Sequence, residues 1–148
     1  MSHTVQVKIV NQSGLSLPEY KTEGSAGMDL CYAGQEEVTL QPLERKLIKT
    51  GIFIELPLGY EAQVRPRSGM ALKHGIGVLN SPGTIDSDYR GEIGVISVNL
   101  SNEAYTIQPA ERIAQMVIAK HERAELVEVQ ELSSSDRGAG GFGSTGKR

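Results

Sequence analysis

Between two glycines the chain runs Gly83-Thr84-Ile85-Asp86-Ser87-Asp88-Tyr89-Arg90-Gly91, packing two carboxylates, a phenol ring and a guanidinium into nine residues. Composition this dense in reactive groups, just before a strongly β-prone run, is that of a ligand-holding loop on a rigid scaffold. The same residue types also make ordinary surface turns, so other segments must decide. Arg65-Pro66-Arg67-Ser68-Gly69-Met70-Ala71 supplies cations, a hydroxyl and a helix start, a natural cradle for phosphate oxygens. Ala26-Gly27-Met28-Asp29-Leu30 sets an acid on a strand directly after small residues. Arg112-Ile113-Ala114-Gln115-Met116 inserts two polar side chains into a strand otherwise made for the core; a surface-facing Arg112 is the plain alternative. Near the end, Arg137 and Phe142 stand among glycines, a cation and a ring suited to a flap that orders over a ligand, or else to a frayed terminus.

Other chemistries find little. Gly138 to Gly143 fits GxGxxG, and Gly141 to Lys147 fits GxxxxGK, but neither follows a strand and opens a helix. A phosphate loop needs a helix start at that point to aim its amides, and Arg148 stands where a Ser or Thr is required. His3, His74 and His121 with one cysteine show no metal-ligand spacing. Ser68 has no evident base partner, so no serine triad assembles.

The elements that must position these groups read as short strands. Val5, Val7 and Ile9 alternate with Gln6 and Lys8, the period of a half-buried strand. Comparable runs are expected at Met28–Tyr32, Glu37–Leu40, Lys46–Leu56, Tyr60–Val64, Ile76–Leu79, Ile93–Leu100, Arg112–Ala119 and Glu125–Gln130. Turn signals such as Gln41-Pro42, Pro57-Leu58-Gly59 and Ser81-Pro82-Gly83 separate them, which predicts an all-β sandwich or barrel. One short helix is expected through Met70–Lys73, capped by Ser68. The pattern stops after Gln130, dividing a β domain (1–132) from a Gly-rich flexible tail (133–148).

The 148 residues suit one domain with its own core, and the absence of Trp leaves that core to Val, Ile and Leu. A formal net charge of −3 argues against nucleic acid as a partner. The lone cysteine, Cys31, cannot form an intrachain disulfide and reads as a buried structural thiol in a reducing compartment. No run approaches the ~20 apolar residues of a membrane span, and Met1-Ser2-His3-Thr4 begins no signal region, so a cytoplasmic protein is expected.

Taken in order, Ala26–Leu30, Arg67–Ala71, Gly83–Gly91, Glu111–Met116 and Arg137–Gly146 resemble the five motifs of the trimeric deoxyuridine triphosphatase (dUTPase) family. One departure is Ala110, where many members carry Gly. The resemblance implies a jelly-roll-like β-barrel (the dUTPase-like β-clip), a homotrimer with active sites at subunit interfaces, and Mg²⁺-dependent hydrolysis of dUTP to dUMP and diphosphate. That activity limits uracil in DNA and supplies dUMP for dTMP synthesis. Asp86 would activate the water that attacks the α-phosphorus. Arg67, Ser68 and Gly69 would meet the phosphate chain, with Arg112 and Gln115 beside them. Asn80 and the backbone from Ile76 to Leu79 would read the uracil edge, Gly83, Thr84 and Ile85 would line the nucleoside, and Tyr89 would pack on the deoxyribose. Arg137, Phe142 and Gly143 would close over the substrate from the tail. Mg²⁺ would sit mainly on phosphates and waters, with Asp29 ordering neighbours or metal waters. Asp88 and Arg90 would pair to shape their loop or the trimer contact. The rivals are dCTP deaminase, a bifunctional deaminase–triphosphatase, and a binding module that kept the pocket.

Overall fold

The computed structural model describes residues 3–148, so Met1 and Ser2 of the expected N-terminus lie outside it. The chain is all-β with one short helix: β1 (Lys8–Asn11), β2 (Gly27–Cys31), β3 (Val38–Leu40), β4 (Arg45–Lys49), β5 (Ile52–Glu55), β6 (Tyr60–Arg65), α1 (Ser68–His74), β7 (Ile76–Val78), β8 (Gly83–Ile85), β9 (Gly94–Asn99), β10 (Tyr105–Ile107) and β11 (Arg112–Lys120). They pair as β2-β11-β6-β8, β4-β9-β7, β1-β5 and β10-β3. Inward residues of all four sheets, among them Leu30, Leu40, Ile48, Ile54, Val64, Val95 and Ile107, share one apolar core. Burial of such branched side chains is the main favourable term in folding.

Several expectations need correction. The first strand begins at Lys8 rather than Val5, where pairing with β5 starts. The run Lys46–Leu56 divides at Thr50-Gly51, because Gly51 has φ 68 and a Cβ there would stand 2.6 Å from the Ser13 backbone. Thr50 is buried at that corner and donates to the Ile93 carbonyl at 2.6 Å. Gly83–Ile85, read as loop, is strand β8 on the edge of β6. Tyr105–Ile107 forms β10, which pairs with β3 and was not anticipated. Glu125–Gln130 forms no strand, and its apolar residues Leu126, Val127 and Val129 are exposed. Alternation marks an apolar face, but a strand also needs a partner edge, and none is met within the described residues. Ser68 is the first helical residue; Arg67 is the N-cap and makes no side-chain capping bond.

Candidate active site

The longest strand carries a β-bulge. On β11, Arg112 pairs with Cys31 but Ala114 pairs with Leu30, so one extra residue is accommodated between them. In a regular strand, side chains three apart face opposite sides. The bulge puts Arg112 and Gln115 on the face of Asp29, while Ala114 and Met116 turn into the core with Leu30.

Asp29 is the hub of that face. Its Oδ1 accepts from Arg67 Nε at 3.1 Å and its Oδ2 accepts from Arg112 Nη1 at 3.4 Å. Arg67 Nη1 also donates to the Arg112 carbonyl at 3.4 Å. One carboxylate therefore orients two guanidinium groups and leaves a surplus positive charge on the outer side. Gln115 Nε2 donates to the Pro66 carbonyl at 3.0 Å, tying β11 to the segment entering α1. Gly27 makes room for it: a Cβ there would lie 3.2 Å from Gln115 Cδ and closer still to Oε1. The first helical bond runs from Ala71 N to Arg67 O, so the preceding amides, those of Ser68 and Gly69 among them, are free of intrahelical partners. Cys31 is half-buried; burial first, then the Asp29 charge, pushes its thiol above the ordinary range, against the pull of Arg112 and Arg67. It is no thiolate nucleophile.

The turn feeding β11 is braced by Glu111, the first residue of the fourth motif, with Tyr105 and Gln108, to which no motif assigned a role. Glu111 accepts from Tyr105 Oη with one oxygen and from Gln108 N at 3.1 Å with the other. Burial, then the bond to Glu111, raises the Tyr105 phenol to about 12. His74 at the end of α1 stacks on the Tyr105 ring with centroids 4.8 Å apart. Ala110 occupies the left-handed region with φ 67, a conformation that glycine adopts at no steric cost. Only the proximity of Glu111 to Arg112 could have signalled this brace.

The second group sits on the turn between β7 and β8, on β8 and on the loop beyond. Gly83 and Ile85 are buried, Thr84 and Asn80 exposed, and Gly83 lies against Val64 and the Asn80 amide. Asp86 leaves the end of β8 exposed, and among the described residues its carboxylate has no hydrogen bond or ion pair. Tyr89 Oη donates to the Glu92 carbonyl at 2.7 Å, and Glu92 Oε2 accepts from Gly51 N at 2.9 Å. The expected Asp88–Arg90 pair does not form. Arg90 Nη1 donates to Ser87 O at 2.6 Å, and its Nε lies 3.9 Å from Glu55, because the loop turns that side chain toward β5.

These two groups are far apart. Asp29, Gln115 and Arg65 share one row of the sheet, whereas Asp86 follows Ile85, which sits opposite Ala62 near the other end of β6. At ~3.3 Å per residue and ~4.8 Å per strand, four rows and three strand gaps separate Asp29 from Asp86 by on the order of 20 Å. The tail stands apart from both. Arg137 Nε donates to the Gly140 carbonyl at 2.7 Å, the Ser144 and Gly146 amides close local turns, and the Phe142 ring is fully exposed at φ 51. Gly143 also takes a left-handed φ of 85. A single chain thus brings together Asp29, Arg67, Arg112 and Gln115 beside Ser68 and Gly69, but does not bring Asp86, Tyr89, Arg137 or Phe142 to them. A concavity of about 1370 Å³ lies elsewhere, lined by Val7, Ile9, Leu17, Met28, Tyr60 and Ile118 among others. No group of three or more His, Cys, Asp or Glu able to hold a metal occurs among the described residues. No helix among them is long and apolar enough to cross a membrane.

Comparison with known proteins bears on the same residues. The dUTPase family model matches residues 14–146. A deoxyuridine 5'-triphosphate nucleotidohydrolase of Cytophaga hutchinsonii is 67% identical over 144 residues, spanning 97% of this chain and 94% of its own. One from Fusobacterium nucleatum is 62% identical over 143 residues, covering 97% and 98%. Among solved structures, a point mutant of the Staphylococcus bacteriophage 80alpha dUTPase with dUpNHpp superposes with a TM-score of 0.84 at 30% identity, covering 99% of this chain and all 100% of that one. A mutant dUTPase from phage phi11 of S. aureus, described with a coordinated structural Mg(II) ion, gives 0.76 at 26% identity over 89% and 100%.

Proposed function

Because this chain belongs to the dUTPase family, we propose that it hydrolyses dUTP to dUMP and diphosphate, with Asp86 as the base that activates the attacking water. The observation that carries the reading is the pair of guanidinium groups locked on Asp29 beside free backbone amides. Phosphate oxygens are the ligand that such a wall recognises. Arg67, the Ser68 hydroxyl and the Gly69 amide meet the phosphate chain; Arg112 and Gln115 flank it. Asp86 carries no competing partner, so its lone pairs are free for a water in line with the α-phosphorus. General-base assistance supplies roughly 10²–10⁴-fold, and the rest comes from holding the phosphates and neutralising developing charge.

Mg²⁺ fits this chain only as a guest of the substrate. Asp29 is occupied by two arginines, so phosphate oxygens and waters would hold the ion. Bound there, Mg²⁺ would offset negative charge on the phosphate chain. The chain's own residues orient that chain and hold the water's proton at the Asp86 carboxylate.

Asn80 and the β7 backbone read uracil, since a side-chain amide offers both donor and acceptor. Gly83, Thr84 and Ile85 line the nucleoside, and Tyr89 packs on the deoxyribose. Arg137 and Phe142, with Gly143 as the turn between them and the chain end, close over the substrate as a flap (133–148) attached to the β domain (1–132).

The separation between Asp86 and the arginine wall within one chain supports a homotrimer whose sites are completed at subunit interfaces. So does the apolar surface left uncovered at Leu126, Val127 and Val129 and in the groove beside Val7 and Ile9. A cytoplasmic setting accords with the unpaired Cys31. Deamination of dCTP is not favoured, because the loop offers Asp86 and Tyr89 with no glutamate before Glu92. The test is turnover of each deoxynucleoside triphosphate and UTP in ¹⁸O-water. Label in the dUMP, with no ammonia from dCTP, is the expected result; label confined to diphosphate contradicts attack on the α-phosphorus.

A further inference from the structure

The Tyr89 ring lies across Gly91. A Cβ built on Gly91 would sit 2.6 Å from Tyr89 Cζ and 2.9 Å from Cε1, with the phenol oxygen nearer still. No carbon tolerates such approaches, so one of the two groups must move. The Gly91 backbone is not in the left-handed region, so an alanine there strains nothing locally. Tyr89 is 45% exposed, and its hydroxyl is held by the Glu92 carbonyl at 2.7 Å. Swinging that ring outward costs one exposed hydrogen bond and little core packing. The backbone, by contrast, is pinned: Ile93 N donates to Ile52 O at 2.8 Å, Thr50 holds the Ile93 carbonyl, and Glu92 caps the Gly51 amide. A side chain at position 91 would therefore displace the ring and leave the loop in place.

We propose that Gly91 is a specificity-determining residue: its missing side chain parks the Tyr89 ring where it excludes a 2′-hydroxyl. The inference rests on the reading that Tyr89 packs against the deoxyribose. Gly91 acts through Tyr89 and touches no substrate. Steric rejection of one added hydroxyl supplies discrimination of ~10²-fold, and that part is lost when the ring moves.

The experiment compares kcat/KM for dUTP and UTP in Gly91→Ala, Tyr89→Ala and the double variant, with thermal unfolding of each. The expected result is a fall in the dUTP/UTP ratio of roughly tenfold or more in Gly91→Ala. Its unfolding midpoint stays within about 4 °C of wild type. In the Tyr89→Ala background, adding Gly91→Ala changes the ratio no further. If Tyr89→Ala lowers the ratio and Gly91→Ala does not, the assignment of Gly91 is overturned while the Tyr89 reading stands. An effect of Gly91→Ala that persists undiminished without Tyr89 overturns it equally. If Tyr89→Ala itself leaves the ratio unchanged, the sugar-packing reading falls and takes the inference with it. The double variant contains no clash, so it reports even if Gly91→Ala alone folds poorly.

Discussion

The arginine wall and the Asp86 loop are built on opposite plans. In the wall the polar side chains are tied in place: Asp29 holds Arg67 and Arg112, and Gln115 is bonded to Pro66. Around the loop the anchors are apolar or backbone, through Ile85, Ile93 and Thr50, and the reactive carboxylate after β8 has no partner among the described residues. Groups that bind a polyanion gain from being oriented beforehand, because no ordering cost falls on substrate capture. A base gains from being free to accept a proton. The tail follows a third plan, with Arg137 and Phe142 in local turns and the Phe142 ring exposed.

Separating these roles predicts distinct failures. The largest is Asp86→Ala, which should lower kcat on the order of 10⁴-fold while dUTP binding, read by calorimetry, is retained. Substantial turnover would give the base role to another group. Deleting residues 137–148 should reduce kcat by about 10³-fold, the lower range for an arginine delivered from outside a site. The unfolding midpoint should be unchanged, since the tail's bonds are local. A normal rate in the truncated protein would dispose of the flap. A milder break is Gly27→Ala, which pushes the Gln115 amide off its bond to Pro66. It should raise KM roughly fivefold, the worth of about one hydrogen bond, with kcat nearly constant. A loss confined to kcat would mean that Gln115 serves the transition state alone.

The smallest effect concerns the brace behind the wall. The Tyr105 phenol is raised from its ordinary value of 10 to about 12, by burial and then by Glu111. The folded state thus keeps a proton that the unfolded state releases. This stability is complete below pH 10 and is lost as pH rises toward 12. Tyr105→Phe should flatten the fall in stability across that window, measured by urea unfolding. An unaltered slope would mean that the phenol titrates alike in both states.

Much of this was legible in the sequence, and the gaps have physical causes. Residue type and neighbours were enough to mark Asp29, Arg67 and Gln115, because charged groups amid apolar strands must be satisfied or used. The bulge at Arg112 was not read, although the three-residue spacing to Gln115 in a core strand hints at it. β10 lies outside the expected strands although Tyr105 and Ile107 alternate about Thr106, because length alone separates it little from a turn and its partner edge on β3 is remote in sequence. Glu125–Gln130 misled for the opposite reason: its alternation is real, but pairing depends on an edge that the sequence of one segment cannot reveal. The distance between Asp86 and the wall is a property of register, set by Gly83 opposite Val64 and invisible to motif order.

That distance is the centre of the account, and subunit mixing tests it most directly. Arg67→Ala and Asp86→Asn proteins should each be nearly inactive alone. Co-assembled at equal amounts, a cyclic trimer with shared sites should regain about a quarter of wild-type activity, because one interface in each mixed trimer pairs an intact Asp86 with an intact Arg67. No recovery in a population shown by native mass spectrometry to be mixed would mean that each site is built within one chain.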